Sequence, residues 1–304
     1  MDLQKNPDAK SFELTDFPWM VVMSLLFFVL VALAIWRTMD TDWAPIQKKF
    51  RRLLEQHAQV DAARSFRPGI RQIWVPKIDV VDRCVTCHLG YEWSSVLAAS
   101  TAEPLTPHPD PGFMSQHPFP QYGCTVCHGG QGWATETLSA HAAGGEIWED
   151  PLITPKLASA YGLTMGQMMQ MRCNFCHRHD VTTPGMGEID LAKVLFKKKK
   201  CLVCHVVEGR GGHTGPELTY EGDKNPELFD YSRAVGRRTV FNWQFQHLKT
   251  PDKIWPGTQM PEYAFSDREA RALTLLLLSW KQQKFPPQYI PAAAEAPPSP
   301  SPSK

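Results

Sequence analysis

The sequence predicts a mainly α-helical chain with a single N-terminal transmembrane helix, a loop-rich middle region and a helical C-terminal domain. Three observations lead there. Residues 17–36 form an unbroken apolar run, four Cys-x-x-Cys-His runs follow it and use all eight cysteines, and the last of these runs lies between two stretches with helical periodicity. The 304 residues include 26 prolines and 20 glycines, and 21% are charged, a composition that argues against one large aliphatic core. A formal charge of +1 carries no basic or acidic excess, so nothing points to a nucleic-acid partner or a charged substrate.

Taken in order, residues 1–16 are expected to be a cytoplasmic amino terminus. The run FPWMVVMSLLFFVLVALAIW from Phe17 to Trp36 has no charge and is long enough to cross a hydrocarbon core. Trp19 and Trp36 stand near its ends, where interfacial aromatics belong. A cleaved signal peptide ending near Ala32–Ala34 is the alternative. A signal's apolar region is usually shorter, and its start more basic, so an uncleaved anchor is favoured. Residues 37–74 read as a stalk, with Ile46, Phe50, Leu53, Leu54 and Val60 near one face of a helix over 45–65. That stripe suits a partner's membrane-proximal surface, the lipid interface or the chain's own domain.

The four runs are Cys84, Cys87, His88; Cys124, Cys127, His128; Cys173, Cys176, His177; and Cys201, Cys204, His205. C-x-x-C-H is the attachment signature of c-type haem: two thiols add to the vinyl groups and the adjacent histidine is the proximal iron ligand. Zinc sites or disulfides also use close cysteine pairs, but neither requires histidine directly after every second cysteine. Four c-type haems are therefore expected, on the extracytoplasmic, periplasmic side of a cell membrane, because covalent attachment takes place outside the cytoplasm. The basic residues Arg37, Lys48, Lys49, Arg51 and Arg52 after the apolar run favour the opposite orientation; haem attachment overrides them, since large domains translocate largely regardless of charge.

Three of the motifs fall in residues 75–187, a trihaem region of proline-, glycine- and histidine-rich loops with little sustained periodicity. Its apolar core is expected to come largely from the porphyrins. The run His128–Gly132, HGGQG, suggests close approach of backbone to a haem, or a simple turn.

Around the fourth motif, Leu191–Lys200 reads as a helix entering Cys201. Gly215, Pro216, Glu217, Leu218 follow, then Pro256, Gly257, Thr258, Gln259, Met260, Pro261 and a helix over Ser266–Lys281. This order resembles a class I monohaem cytochrome c domain, here residues 188–285. The resemblance implies two crossing helices, a loop bracing the proximal histidine, and Met260 as the sulfur ligand. Residues 286–304 are proline, alanine and serine and are expected to be a disordered tail.

Each iron in an electron-transfer haem takes two axial ligands. For the first three, His108, His117 and His141 are the distal candidates, since all lie in loops between motifs; which haem each serves is left open. His179 is too close to His177 to reach the far face of the same haem easily, with ligation of a neighbouring haem as the alternative. Met165, Met168, Met169 and Met171 form a cluster read as packing, with a ligand role as the alternative. His57, His213 and His247 are read as surface residues. A thioether ligand raises the potential, so the fourth haem is expected to be the high-potential exit.

The anchor, the basic stalk, IRQIWVPKIDVVDRCVTCHLG over 70–90, YGCTVCHGGQG over 122–132, and the region of Ala140, His141, Glu149, Asp150 and Pro151 together resemble membrane-anchored multihaem cytochrome c subunits of quinol-oxidising cytochrome b and Rieske-type complexes. The resemblance covers most of residues 45–285. It implies electron transfer from that integral membrane complex to a soluble cytochrome, an oxidase or a photosynthetic centre, with no catalytic acid, base or nucleophile in this chain. A stand-alone tetrahaem quinol dehydrogenase feeding periplasmic reductases is the alternative, and a multihaem redox enzyme with one open iron position a more distant one.

Overall fold

The computed structural model describes residues 17–39, 41–109, 112, 114–141, 151–282 and 285–291. The expectations for residues 1–16, for the tail beyond 291 and for Glu149 and Asp150 lie outside them, while the first residues of the expected disordered tail form a 3-10 turn at Pro287–Tyr289, with the Tyr289 ring edge-on to Tyr122 at 5.6 Å. The described chain is mainly helical. Helix α1, Phe17–Met39, is long and apolar enough to cross a membrane, and none of its side chains is buried in protein.

The predicted stalk helix is two helices, α2 at Trp43–Gln56 and α3 at Val60–Ser65. They are separated where Ala58 takes a left-handed conformation, φ 59°. The apolar stripe of α2 packs on the chain's own next segment: Phe50 and Leu54 are buried with Leu89, Leu97 and Leu105, and the Phe50 ring meets Trp93 edge-on at 5.8 Å. Gln47, 1% exposed, ties this face down. Its Nε2 donates to the carbonyls of Gly69 and Thr86, and its Oε1 accepts from Gly69 N.

A short antiparallel hairpin follows, β1 at Ile73–Val75 and β2 at Val80–Asp82, with Ile73 opposite Asp82. Beyond it come three one-turn helices, α4 at Phe119–Tyr122, α5 at Thr125–His128 and α6 at Thr137–Ala140. Between Leu105 and Ile153 no described Val, Ile, Leu, Met, Phe or Trp side chain is fully buried. Polar contacts and imidazoles, rather than aliphatic packing, bring this stretch together.

The carboxyl-terminal half has a conventional core. Helices α7 (Pro155–Ala160), α8 (Met165–Cys173), α9 (Gly187–Lys198), α10 (Val240–Lys249), the short α11 (Pro251–Ile254) and α12 (Asp267–Leu278) surround it, with a minimal hairpin of β3 (Val206–Val207) and β4 (Arg210–Gly211). The starts of these helices are written in their caps. Thr164 with Gln167 and Ser266 with Glu269 form reciprocal capping boxes, and Thr239 Oγ1 accepts from Asn242 N. Helix α9 begins at Gly187, earlier than the predicted Leu191, because Gln170 Oε1 on α8 accepts the N–H groups of Glu188 and Ile189, and because Glu188 and Asp190 oppose the positive end of the dipole. Helix α12 is the central one: Ala270, Leu273, Leu275 and Leu276 are all at or below 2% exposure. It packs against α9 through Ile189, Ala192 and Leu195. The methionine cluster belongs to this core, with Met168 buried and Met165, Met169 and Met171 packed around it.

Truncating Leu276 to alanine removes a fully enclosed side chain from the core around α12. The expected loss is about 2–5 kcal/mol, read as a lower midpoint in chemical denaturation of the purified protein.

Candidate haem sites

Each Cys-x-x-Cys-His run folds as a single helical turn. The histidine N–H donates to the carbonyl of the first cysteine in all four: His88 to Cys84 at 2.9 Å, His128 to Cys124 at 3.0 Å, His177 to Cys173 at 3.1 Å and His205 to Cys201 at 3.0 Å. Residues i, i+3 and i+4 share one face of such a turn, so two thiols and an imidazole project to the same side. None of the eight cysteines is in a disulfide, and among the described residues no three His, Cys, Asp or Glu side chains converge as a zinc site requires.

Opposite three of these turns stands a second imidazole. The ring of His141 lies 6.2 Å from that of His88, His108 lies 6.0 Å from His128, and His117 lies 6.0 Å from His177, centre to centre. Two metal–nitrogen bonds of about 2 Å, plus roughly 1 Å from each nitrogen to its ring centre, place two axial imidazoles on one iron about 6 Å apart. The sequence-predicted distal candidates are thus brought to three different turns, one each. Burial pushes His128 down to about 4, helped by the nearby His108 and His88, and lowers His88 as well, which keeps these rings neutral with a lone pair free for a metal. His108 is steadied by Nδ1 at 2.6 Å from the Pro109 carbonyl and by the edge of Phe119 at 5.3 Å.

Successive turns are clasped to one another by polar side chains beside the cysteines. The carboxylate of Asp82, fully buried, accepts the N–H groups of Cys124 and Thr125, and Arg83 N donates to Gly132 O at 2.7 Å. Gly132 packs so closely on Val81 and Asp82 that a side chain there would collide with both, so the HGGQG run approaches another stretch of polypeptide. Arg172 joins the second turn to the third, donating to the carbonyls of Val126 and Thr125, both at 3.0 Å. Asn174 and Arg178 join the third to the carboxyl-terminal core: Asn174 donates to Ser279 Oγ at 2.7 Å, and Arg178 donates to Thr219 O at 2.8 Å and pairs with Glu208 at 2.8 Å.

The fourth turn opens on a largely apolar cavity of about 220 Å³ lined by Cys201, His205, Met260, Trp243 and His247 among others. A single water needs only about 10–15 Å³ by the same measure, so the space suits a large organic group. His205 Nδ1 faces Pro216 O at 2.8 Å, leaving Nε2 toward the cavity. Gly215 lies under the ring, where an added Cβ would stand 2.7 Å from Cε1. A thiol, an imidazole, a thioether and apolar walls on one cavity fit a covalently held haem.

His247 is not the surface residue the sequence suggests. It stacks on Trp243 at 4.8 Å, its Nδ1 is buried without a hydrogen-bond partner among the described residues, and burial pushes it down to about 4. The i, i+4 spacing of Trp243 and His247 on α10 is the signal available. His57 and His213 are exposed, and His179 lies 3.8 Å from Glu208. Asp82 and Asp180, the latter 2.7 Å from His177 Nδ1, escape a reading of the sequence, because nothing local marks a carboxylate that bonds to a haem motif.

Comparison with known proteins places residues 189–281 on the cytochrome c family model. Cytochrome c type-1 of Ascaris suum is 36% identical over 93 residues, which is 28% of this chain and 81% of that protein. Cytochrome c 2.1 of Caenorhabditis elegans is 32% identical over 99 residues, 28% of this chain and 82% of that one. A nitric oxide reductase subunit of Halomonas halodenitrificans is 32% identical over 104 residues, 31% and 62% of the two chains. No solved structure gives a significant match. A cytochrome c domain implies covalent c-type haem and electron transfer, and through its carboxyl-terminal domain the chain belongs to the cytochrome c family.

Proposed function

We propose that this is a membrane-anchored tetrahaem cytochrome that carries electrons from a quinol-oxidising membrane complex to a periplasmic acceptor. The observation that carries the tetrahaem reading is the set of three imidazole pairs at 6.0–6.2 Å, each joining a Cys-x-x-Cys-His turn to a histidine from a distant loop. The proposed pairs of iron ligands are His88 with His141, His128 with His108, and His177 with His117. Met260 completes the fourth site opposite His205, in the cavity both residues line.

The clasps between successive turns support a path in chain order, first motif to fourth. Asp82 and the Arg83–Gly132 bond join the first two, Arg172 the second and third, and Asn174 with Arg178 the third and fourth. Electron entry belongs at the first motif, whose turn rests on the stalk that follows α1. The protein's own residues set the direction: imidazole on both faces holds the first three irons at lower potential, and a thioether raises the fourth. Membrane anchoring rests on the length and apolarity of α1. A partner complex is supported by the family resemblance of the stalk and first two motifs, and by a relative that is itself named as a subunit.

Three outcomes are expected. The purified chain carries four haems; His141→Ala, His108→Ala and His117→Ala each retain all four while turning one low-spin iron high-spin in electron paramagnetic resonance, and a count of fewer than four ends the tetrahaem reading. Met260→His lowers the highest of the four potentials in a redox titration and leaves the other three in place. Extraction of native membranes in mild detergent recovers the chain with a cytochrome b and an iron–sulfur subunit; recovery alone, still reducible by quinol, makes it a stand-alone quinol dehydrogenase.

A further inference from the structure

His177 differs from the other three histidines that follow a cysteine pair. Its Nδ1 lies 2.7 Å from Asp180 Oδ2, and both side chains are only 18% exposed. His205 Nδ1 meets a neutral peptide oxygen, that of Pro216. His88 Nδ1 is 3.9 Å from Glu103, beyond hydrogen-bond length and on a side chain 75% exposed, and His128 has no carboxylate partner among the described residues. Asp180 is itself held in place: Thr183 Oγ1 donates to the same Oδ2 at 3.3 Å. Lys193 Nζ donates to the carbonyls of His177 at 2.7 Å and Asp180 at 2.8 Å, fixing the loop between them.

Resting on the tetrahaem reading, we infer that Asp180 is a redox-tuning residue: through His177 it lowers the potential of the third iron and steepens the downhill step from it to the fourth. The chemistry follows from which nitrogen does what. With Nε2 on the metal, Nδ1 keeps its proton and donates it to the carboxylate in a charge-assisted bond. The carboxylate draws that proton toward itself, the ring gains anionic character, and the more electron-rich ligand stabilises the ferric over the ferrous state. The Lys193 ammonium opposes this by its charge, but it is bonded to main-chain oxygens, whereas the carboxylate acts on the ligand directly. With haems in place, a ferrous iron held by His177 would become ferric by giving one electron to a ferric iron held by His205, which would become ferrous, while the Nδ1 proton stays in the His177–Asp180 bond. Return from the thioether-ligated site would be uphill.

The test is a redox titration of the full-length protein with its haem content counted. Asp180→Asn keeps the size and the acceptor oxygen but removes the charge. The expected result is a tenfold shift in one haem's ferric-to-ferrous ratio at fixed potential, equivalent to a rise of about 59 mV for one electron, with the other three unmoved. Asp180→Glu brings that haem back toward its original value, which a merely structural role would not produce. Thr183→Val frees the carboxylate from a competing donor and lowers the same potential, so the inference stays testable where Asp180→Asn fails to take its haem. Four haems attached and no potential moved by Asp180→Asn, or an unmoved or raised one in Thr183→Val, overturns the inference while leaving the tetrahaem reading intact. Fewer than four haems in the unaltered protein overturns both.

Discussion

The region from Leu105 to Ile153 depends on meetings between imidazoles that lie far apart in sequence. Between those two residues it has no enclosed Val, Ile, Leu or Met side chain among the described residues, and its helices are single turns. Short helices of this kind are marginal in isolation. What sets the path of the loops is that His108, His117 and His141 each stand across a gap from a histidine on a cysteine-bearing turn. On the tetrahaem reading proposed above, a haem between each pair would supply the apolar contact the polypeptide lacks.

Polar residues do the remaining joining, and they do it at high local stakes. Asp82 is a buried carboxylate with two amide donors from the next motif; removing it orphans both N–H groups at about 1–3 kcal/mol each. Arg172 and Arg178 direct their guanidinium donors at carbonyls, a use that the rigid fork of arginine suits better than lysine does. The carboxyl-terminal half relies instead on apolar packing around α12. Asn174, wholly buried, sits where the two kinds of architecture meet.

Much of this is legible in the sequence, for reasons that can be named. Spacing of i, i+3, i+4 is local, so the four cysteine–histidine turns and the caps at Thr164, Thr239 and Ser266 can be read directly. The start of α9 cannot, because its cap comes from Gln170 on another helix. The break in the stalk helix is hidden because a left-handed Ala58 leaves no composition signal. Pairing of the imidazoles is illegible because it follows neither sequence distance nor order: His108 faces His128, His117 passes over the second motif to His177, and His141 turns back to His88. His247 reads as a surface residue because its burial depends on the shape of a cavity that separate segments of the chain close.

That crossing pattern has a consequence for how such a chain can change. A cut anywhere between His88 and His141 separates at least one facing pair, and a cut between His117 and His177 separates another, so the stretch from His88 to His177 has no seam. It cannot be shortened by one module or lengthened by copying one, because every single-motif segment leaves behind an imidazole that belongs to a different motif. The stretch from Gly187 onward is different, since His205 and Met260, the two residues on its cavity, both lie within it. Its core is nonetheless shared with α7 and α8, and Gln170 caps its first helix, so even that stretch is joined to what precedes it.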